Sequence, residues 1–143
     1  MDARQLTPRY SVSPQIAPED MDAIAAAGFT TIICNRPDAE VPPGLHAAEM
    51  ARAAQAAGLR FETLPLTHQT MTPENVARQR DLIAGSEGPV LAYCASGTRS
   101  SVVWALGEAG HRPVDDILTA ARNAGYMLDN LRPTLDLAAA QAR

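Results

Sequence analysis

The chain has 143 residues, of which 46% are hydrophobic, and its formal net charge is -4. This length supports one domain with a substantial core, so residues 1–143 are predicted to form a single domain. A net negative charge offers no basic surface to a phosphate backbone, which argues against nucleic-acid binding. No apolar run reaches the roughly 18–20 residues of a membrane span, and the N-terminus lacks the apolar region of a signal peptide. We therefore expect a cytoplasmic protein without a nucleic-acid or membrane partner.

The two cysteines and three histidines show no spacing typical of a metal site. The cysteines form no CxxC motif and are too few for a disulfide framework, so both thiols are expected to be reduced. We predict no metal site and no cofactor. Trp104 and Tyr126 are interpreted as core or helix-packing residues rather than a substrate-stacking pair. The histidines are scattered at His46, His68 and His111.

Segments with β-branched, apolar character alternate with segments that have helical spacing and helix-ending glycines. The strands are predicted at residues 10–15 (a short edge strand), 29–35, 59–66 and 89–94. The helices are predicted at residues 17–28, 45–58, 73–85, 98–110, 113–125 and 132–142. This alternation predicts an α/β fold with a short, mostly parallel sheet flanked by helices. An all-helical domain conflicts with the apolar strand-like runs at 30–34 and 90–93.

The stretch "VLAYCASGTRSS" places a cysteine where a predicted strand meets a predicted helix. The backbone N–H groups of Ala95, Ser96, Gly97 and Thr98 are expected to curve around the Cys94 sulfur, with Gly97 supplying positive φ. The N-terminus of the helix adds unpaired N–H donors. Arg99 adds a forked, fixed positive charge, and the Ser100 hydroxyl could donate to the sulfur. This arrangement predicts a nucleophilic thiolate inside an anion-binding loop.

Each of these features also has a purely structural interpretation. A lone cysteine at a strand end is often a small buried apolar residue, and Gly-Thr before a helix is often a turn and a cap. Asn35 is predicted to bond the loop backbone, and Arg36 either lines the crevice or forms a salt bridge to Asp38 or Glu40. Cys34 is either a resolving thiol for Cys94 or a buried strand residue.

Four segments resemble the phosphatase-like domain of the beta-lactamase-hydrolase-like family, which is also described as a sulfurtransferase family. They are "SVSPQIAPEDMDAIAAAGFTTII", "NRPDAE", "LPLTHQTMTPENV" and "GPVLAYCASGTRSSVVWAL". The resemblance implies the fold of dual-specificity protein tyrosine phosphatases. It also implies a link to sulfur metabolism, with a sulfide- or persulfide-oxidising enzyme as a possible partner. Independently of this resemblance, the chemistry of the loop predicts Cys94, Arg99 and Ser100 as catalytic residues.

Two enzymatic interpretations remain open. Protein tyrosine phosphatases have five residues between cysteine and arginine, whereas Cys94 and Arg99 are separated by four, as in the "CxxGxR" loop of rhodanese-type sulfurtransferases. A shorter loop favours the terminal sulfur of a persulfide over a phosphoryl group. We therefore predict a sulfurtransferase that moves sulfane sulfur through a Cys94 persulfide, from a small anionic sulfur donor to a thiol acceptor.

The alternative is a phosphatase that hydrolyses phosphate monoesters through a Cys94 phosphocysteine. Ester cleavage needs a proton donor, and "LPLTHQTMTPEN" contains no aspartate. Only Thr67, His68 and Glu74 are candidates there. A non-catalytic module that senses an anion or a sulfur species is a third possibility. The intact set of Cys94, Arg99 and Ser100 argues against it.

Overall fold

Strands and helices alternate along the computed structural model, which describes residues 1–142. The strands are β1 (Arg4–Thr7), β2 (Tyr10–Ser13), β3 (Thr31–Cys34), β4 (Arg60–Thr63) and β5 (Val90–Tyr93). The α-helices of the described residues are α1 (Met21–Ala26), α2 (Ala47–Ala56), α3 (Pro73–Ala84), α4 (Thr98–Glu108), α5 (Val114–Asn123) and α6 (Arg132–Gln141). Among these helices, none is both long and apolar enough to cross a membrane.

The five strands form one sheet in the order β1-β2-β5-β3-β4. Strands β2, β5, β3 and β4 run parallel to one another, and only β1 is antiparallel to its neighbour. The predicted α/β class with a short, mostly parallel sheet is therefore confirmed.

The prediction that the segment near residue 10 forms an edge strand is wrong. β2 lies inside the sheet, between β5 and the preceding strand β1, with Arg4 opposite Val12 and Thr7 opposite Tyr10. Strand β1 was not predicted from the sequence because "RQLT" is mostly polar and its first two side chains are not buried. A strand that is solvated along part of its length lacks the apolar run by which buried strands are recognised.

Each face of the sheet is covered by its own layer of helices. On one face, Ile32 and Leu91 pack with side chains of α1 and α2, such as Ile24 and Met50. On the other face, the neighbouring strand residues, including Ile33, pack with α3 to α6. Successive residues of a strand point to opposite faces, so β3 and β5 are buried throughout. Full burial of each such aliphatic side chain contributes about 1.5–3 kcal/mol.

This topology brings the carboxyl ends of β5 and β3 side by side. Cys34 and Tyr93 are in register at the ends of these strands, and the Asn35 N–H donates to the Tyr93 carbonyl at 2.8 Å. Cys94 and Asn35 therefore leave the sheet together. In open parallel sheets, this edge is where ligands bind.

Candidate active site

The 94–99 loop curls around the sulfur of Cys94. The Gly97 N–H donates to the Cys94 sulfur at 3.1 Å. Gly97 has φ 96°, a left-handed conformation, and α4 begins at the next residue. Glycine adopts this conformation without the steric cost that a Cβ would impose. The predicted role of Gly97 in shaping the loop agrees with this geometry.

The carbonyl groups of the loop are held by residues on its outer side. The Ala95 carbonyl accepts from the Gln15 N–H at 3.2 Å, and the Ser96 carbonyl accepts from the Tyr126 hydroxyl at 2.9 Å. The Ser101 hydroxyl donates to the Gly97 carbonyl at 2.7 Å. Because the N–H and C=O of a trans peptide point in opposite directions, the first two bonds direct the Ser96 and Gly97 N–H groups away from Gln15 and Tyr126, whereas the Thr98 N–H donates to Ser96 Oγ at 3.3 Å. Within residues 1–142, the N–H groups of Ala95 and Ser96 have no protein acceptor.

Tyr126 supports this loop, a role that sequence reasoning missed. Its side chain is buried in the main core, as predicted, but its hydroxyl reaches the loop. A Cβ at Gly97 would lie 2.0 Å from the Tyr126 hydroxyl oxygen. No local pattern could reveal this contact, since Tyr126 belongs to the segment after α5. Gly97 is thus required both for its conformation and for its lack of a side chain.

The Arg99 side chain is held by an internal carboxylate. Its Nη1 donates to Glu40 Oε2 at 2.8 Å and its Nη2 to Glu40 Oε1 at 2.7 Å. Nη1 also donates to the Leu66 carbonyl at 2.8 Å. The hydrogen bonds from Arg99 lower the pKa of Glu40, and the pKa of Arg99 is raised by the same pair. Arg99 therefore lies at the predicted site, with its forked donors already occupied.

Arg36 also approaches Glu40. Its Nε lies 3.4 Å from Glu40 Oε1, and its Nη1 donates to Gln15 Oε1 at 3.2 Å. Of the two interpretations for Arg36, the structure contains the salt bridge, and the carboxylate is that of Glu40. The Asp38 carboxylate instead accepts from the Ala47 N–H at the start of α2, at 2.8 Å.

The predicted contacts of Ser100 and Asn35 differ from those in the structure. The Ser100 hydroxyl donates to Asn35 Oδ1 at 2.8 Å rather than to the thiol. Asn35 Nδ2 donates to the Leu64 carbonyl and to Gln79 Oε1, each at 2.9 Å, rather than to the 94–99 loop. Both side chains are buried, so their polar atoms must find partners nearby. Ser100 and Asn35 thus stabilise the base of the site instead of facing a substrate.

Gln79 is the centre of this buried network and was not identified from the sequence. Its Nε2 donates to Asn35 Oδ1 at 3.2 Å and to the Tyr10 hydroxyl at 3.1 Å. The Tyr10 hydroxyl donates in turn to the Ser100 carbonyl at 2.7 Å. Glutamine on a helix is usually solvated, so the sequence around Gln79 gave no indication of this role.

A crevice of about 410 Å³ opens beside the loop. Its lining includes Glu40 and Arg99 but not Cys94, which is only 1% exposed. A reactant in the crevice therefore reaches the sulfur only if the wall of the crevice rearranges. The remaining lining residues are Thr67, His68, Gln69, Ala95, Ser96 and Thr98.

Of the three candidate proton donors, Thr67 and His68 line the crevice. Glu74 lies in the first turn of α3 and is not among the lining residues.

Cys34 is a free, buried thiol that contacts the Arg36 carbonyl at 3.4 Å. Burial raises the pKa of this thiol, which disfavours the thiolate that disulfide exchange requires. Its role as a resolving thiol stays a prediction. Among residues 1–142, no group of three or more His, Cys, Asp or Glu side chains is placed to hold a metal ion.

A family model described as "Beta-lactamase hydrolase-like protein, phosphatase-like domain" matches residues 2–111. The chain belongs to this family. The match includes β1 to β5, the 94–99 loop and α4. The resemblance inferred from the four sequence segments is therefore confirmed.

Curated relatives of this phosphatase-like domain are longer proteins. The chain is 34% identical over 130 residues to a beta-lactamase hydrolase-like protein of Agrobacterium fabrum, covering 90% of this chain and 30% of that protein. It is also 34% identical over 124 residues to the corresponding protein of Xylella fastidiosa strain Temecula1, covering 84% of this chain and 28% of the relative. The chain thus spans less than a third of the length of these relatives.

Solved structures agree with the fold. A Neisseria meningitidis protein, provisionally named a phosphatase, superimposes with a TM-score of 0.86 at 38% identity, covering 96% of this chain and 99% of that one. Tk-PTP in its active form superimposes with a TM-score of 0.70 at 16% identity, covering 99% and 98% of the two chains, and this likeness concerns the fold alone. The predicted protein tyrosine phosphatase-like fold is confirmed.

Proposed function

We propose that Cys94 is the nucleophile of a covalent group-transfer enzyme and that the 94–99 loop binds the anionic part of its substrate. The observation that carries this proposal is the Gly97 N–H donating to the Cys94 sulfur within a loop whose carbonyls are held outward. Inward N–H groups stabilise a thiolate and also the charge that develops on a bound anion. Cysteine thiolates activated in this way form covalent intermediates.

We propose sulfane sulfur as the group transferred. Four residues separate Cys94 from Arg99, one fewer than in protein tyrosine phosphatases, which narrows the loop. In the proposed reaction, the thiolate attacks the terminal sulfur of a donor such as a thiosulfonate, RSO₂S⁻. The S–S bond of the donor breaks, the sulfinate RSO₂⁻ leaves with the bonding electrons, and Cys94 becomes a persulfide. A thiolate or cyanide acceptor then takes this sulfur and restores the Cys94 thiolate.

The carboxylates near the loop also support sulfur transfer, because neither is suited to protonate a leaving alcohol. The pKa of Glu40 is lowered by Arg99, so Glu40 is a poor proton donor at neutral pH. The Asp38 carboxylate bonds the first turn of α2. Sulfur transfer between thiolates needs no such donor.

Phosphate monoester hydrolysis is the second candidate, and the comparisons fit it better than they fit sulfur transfer. The family description and the name of the Neisseria protein both contain the word phosphatase. In this reaction the Cys94 thiolate would displace the ester oxygen from phosphorus, and water would then hydrolyse the phosphocysteine. His68 lines the crevice and is the candidate acid for the leaving oxygen.

A sensing module that binds an anion or a sulfur species without turnover is the third candidate. The chain retains both Cys94 and Arg99 within one loop, which favours an enzyme. Association with a sulfide- or persulfide-oxidising enzyme and residence in the cytoplasm stay predictions.

One experiment separates these candidates. Wild type, Cys94→Ser and Cys34→Ser as the matched control are incubated with thiosulfate, with glutathione persulfide and with an aryl phosphate. Sulfur transfer predicts thiocyanate formation with cyanide and a gain of about 32 Da on wild type and on Cys34→Ser, but not on Cys94→Ser. Release of phosphate without any sulfur transfer would establish the phosphatase instead. Binding of these anions without turnover would establish the sensing module.

A further inference from the structure

A second, larger groove opens next to the crevice. Its volume is about 510 Å³, against about 410 Å³ for the crevice. His68 and Thr98 line both, so the two spaces adjoin at the start of α4, where the anion-binding loop ends. The groove runs between α4 and the segment that follows α5. Its apolar lining residues are Met71, Val102, Leu106, Met127, Leu128 and Leu131.

Most of the apolar lining belongs to the main core or packs against it, but Met127 lies outside that core. Met127 is 67% exposed, more than Met1 (51%) or Leu137 (60%), the other exposed large apolar side chains of the described residues. Met71 is only partly buried at the edge of the main core. Among the described residues that line this groove, none has a charged side chain of Asp, Glu, Lys or Arg. Methionine side chains adapt to ligands of irregular shape and interact favourably with aromatic rings.

We infer that this groove binds the apolar aryl or alkyl part of an anionic substrate whose charged end lies in the 94–99 loop. The inference rests on the proposed function and narrows its substrate class. Thiosulfate lacks an organic group and leaves the groove empty. An arenethiosulfonate places its sulfane sulfur at Cys94 and its ring past Thr98, between Met71 and Met127. Binding in the groove removes the apolar surface of the ring from water. This burial lowers the free energy of both the bound state and the transition state.

The first test is a series of donors that share one reactive end. Thiocyanate formation is measured with thiosulfate, methanethiosulfonate and benzenethiosulfonate. We expect kcat/KM for the benzene donor to exceed that for the methane donor by about tenfold, because burying the ring stabilises its complex. The double variant Met71→Gln/Met127→Gln should reduce this ratio to about twofold and leave thiosulfate turnover unchanged.

Leu137→Gln is the matched control. Leu137 is 60% exposed on α6 and does not line the groove, so its substitution removes a similar exposed apolar side chain elsewhere. It should preserve the tenfold ratio. A ratio near one in wild type, or an unchanged ratio in the double variant, would overturn the inference while leaving sulfur transfer in place.

A second measurement does not depend on turnover. Methyl NMR signals of the methionines are followed during titration with benzenesulfonate or methanesulfonate. The Met71 and Met127 methyls should shift with benzenesulfonate alone, and those of the core residues Met21 and Met50 should not. If wild type turns over no sulfur donor but these two methyls still shift, the proposed reaction fails and the groove stands. If they do not shift, the groove assignment fails.

Discussion

The Glu40 carboxylate contacts both terminal nitrogens of Arg99, at 2.7 and 2.8 Å, in a paired arrangement. Arginine binds carboxylates and oxyanions through the same fork of donors. Glu40 therefore occupies the position in which an anionic substrate would contact Arg99. Any such substrate must either share Arg99 with Glu40 or displace it.

Replacing Glu40 with glutamine should strengthen the binding of doubly charged oxyanions. Removal of one nearby negative charge, discounted for the partial exposure of Glu40, should lower the inhibition constant of inorganic phosphate or sulfate by about threefold to tenfold. The measurement is competitive inhibition of donor turnover. Glu49→Gln is the control, because Glu49 pairs with Arg52 on the exposed surface of α2. An equal change in both variants would contradict this prediction.

The same pair should make stability depend on pH. Arg99 lowers the pKa of Glu40 in the folded protein, so the stabilisation is fully present above the ordinary carboxyl pKa of about 4.3 and is lost as the pH falls through the lowered value. The Glu40 side chain is 34% exposed, so we expect wild type to exceed Glu40→Gln by only about 1 kcal/mol in unfolding free energy at pH 7. Denaturant titrations at pH 7 and below pH 4 should show this difference shrinking. A constant difference would disprove the linkage.

Arg99→Lys should lower kcat/KM by about 10- to 1000-fold, since lysine keeps the charge but loses the fork. The contact of Nη1 with the Leu66 carbonyl would also be lost. Steady-state kinetics measure the effect, with Arg52→Lys as a control on the exposed surface of α2. Full activity of Arg99→Lys would show that paired recognition of the anion is not required.

Gly97→Ala should destabilise the protein and abolish turnover. Alanine is strained in the left-handed backbone conformation of residue 97. Its Cβ would also lie 2.0 Å from the Tyr126 hydroxyl oxygen. Gly58→Ala serves as the control for conformation alone, because Gly58 has φ 82° but no atom within 4 Å of the place its new methyl group would take. We expect about 1 kcal/mol of destabilisation at Gly58 and at least twice that at Gly97, measured by denaturant unfolding. Equal costs would show that the close contact with Tyr126 is relieved easily.

Tyr126→Phe should remove a hydrogen bond that holds the 94–99 loop and should leave the packing of the core unchanged. The ring stays in place, but the Ser96 carbonyl loses its donor, which should cost about 0.5–1.5 kcal/mol and lower kcat/KM severalfold. Tyr93→Phe is the matched control. The Tyr93 hydroxyl is buried and has no hydrogen-bond partner among the described residues, so its removal should be neutral or stabilising. Similar losses of stability and of kcat/KM in both variants would show that the Tyr126 hydroxyl does not stabilise the loop.

The sequence predicted well those features that depend on local pattern. The parallel strands, the helices and the position of the 94–99 loop follow from apolar runs and from glycines at helix ends. The polar strand β1 carried too weak an apolar pattern to be recognised. The predicted helix at residues 17–28 begins as a 3₁₀ helix at Pro18–Asp20 and continues as the α-helix Met21–Ala26.

The partners of the site residues could not be predicted, because they come from distant segments. Gln79 and Tyr126 reach the site from α3 and from the segment after α5. Their sequence surroundings are ordinary for a helix and a loop. Ser100 and Asn35 were identified as part of the site, but the sequence does not show which groups their side chains hydrogen-bond. Only the packing of the complete fold selects one of them.

The supports of the 94–99 loop also have a consequence for the order of folding. Gln15 and Tyr126 bond the carbonyls of Ala95 and Ser96 from segments near the two ends of the chain, whereas Ser101 bonds the Gly97 carbonyl from the adjacent helix α4, so two of these three carbonyls are held by contacts of long range. Contacts of this kind close late, after the entropy of the intervening chain has been lost. A nascent chain would thus carry Cys94 as an ordinary thiol, and its special reactivity would appear only with the native state. The rate at which that reactivity develops during refolding would report the last step of assembly.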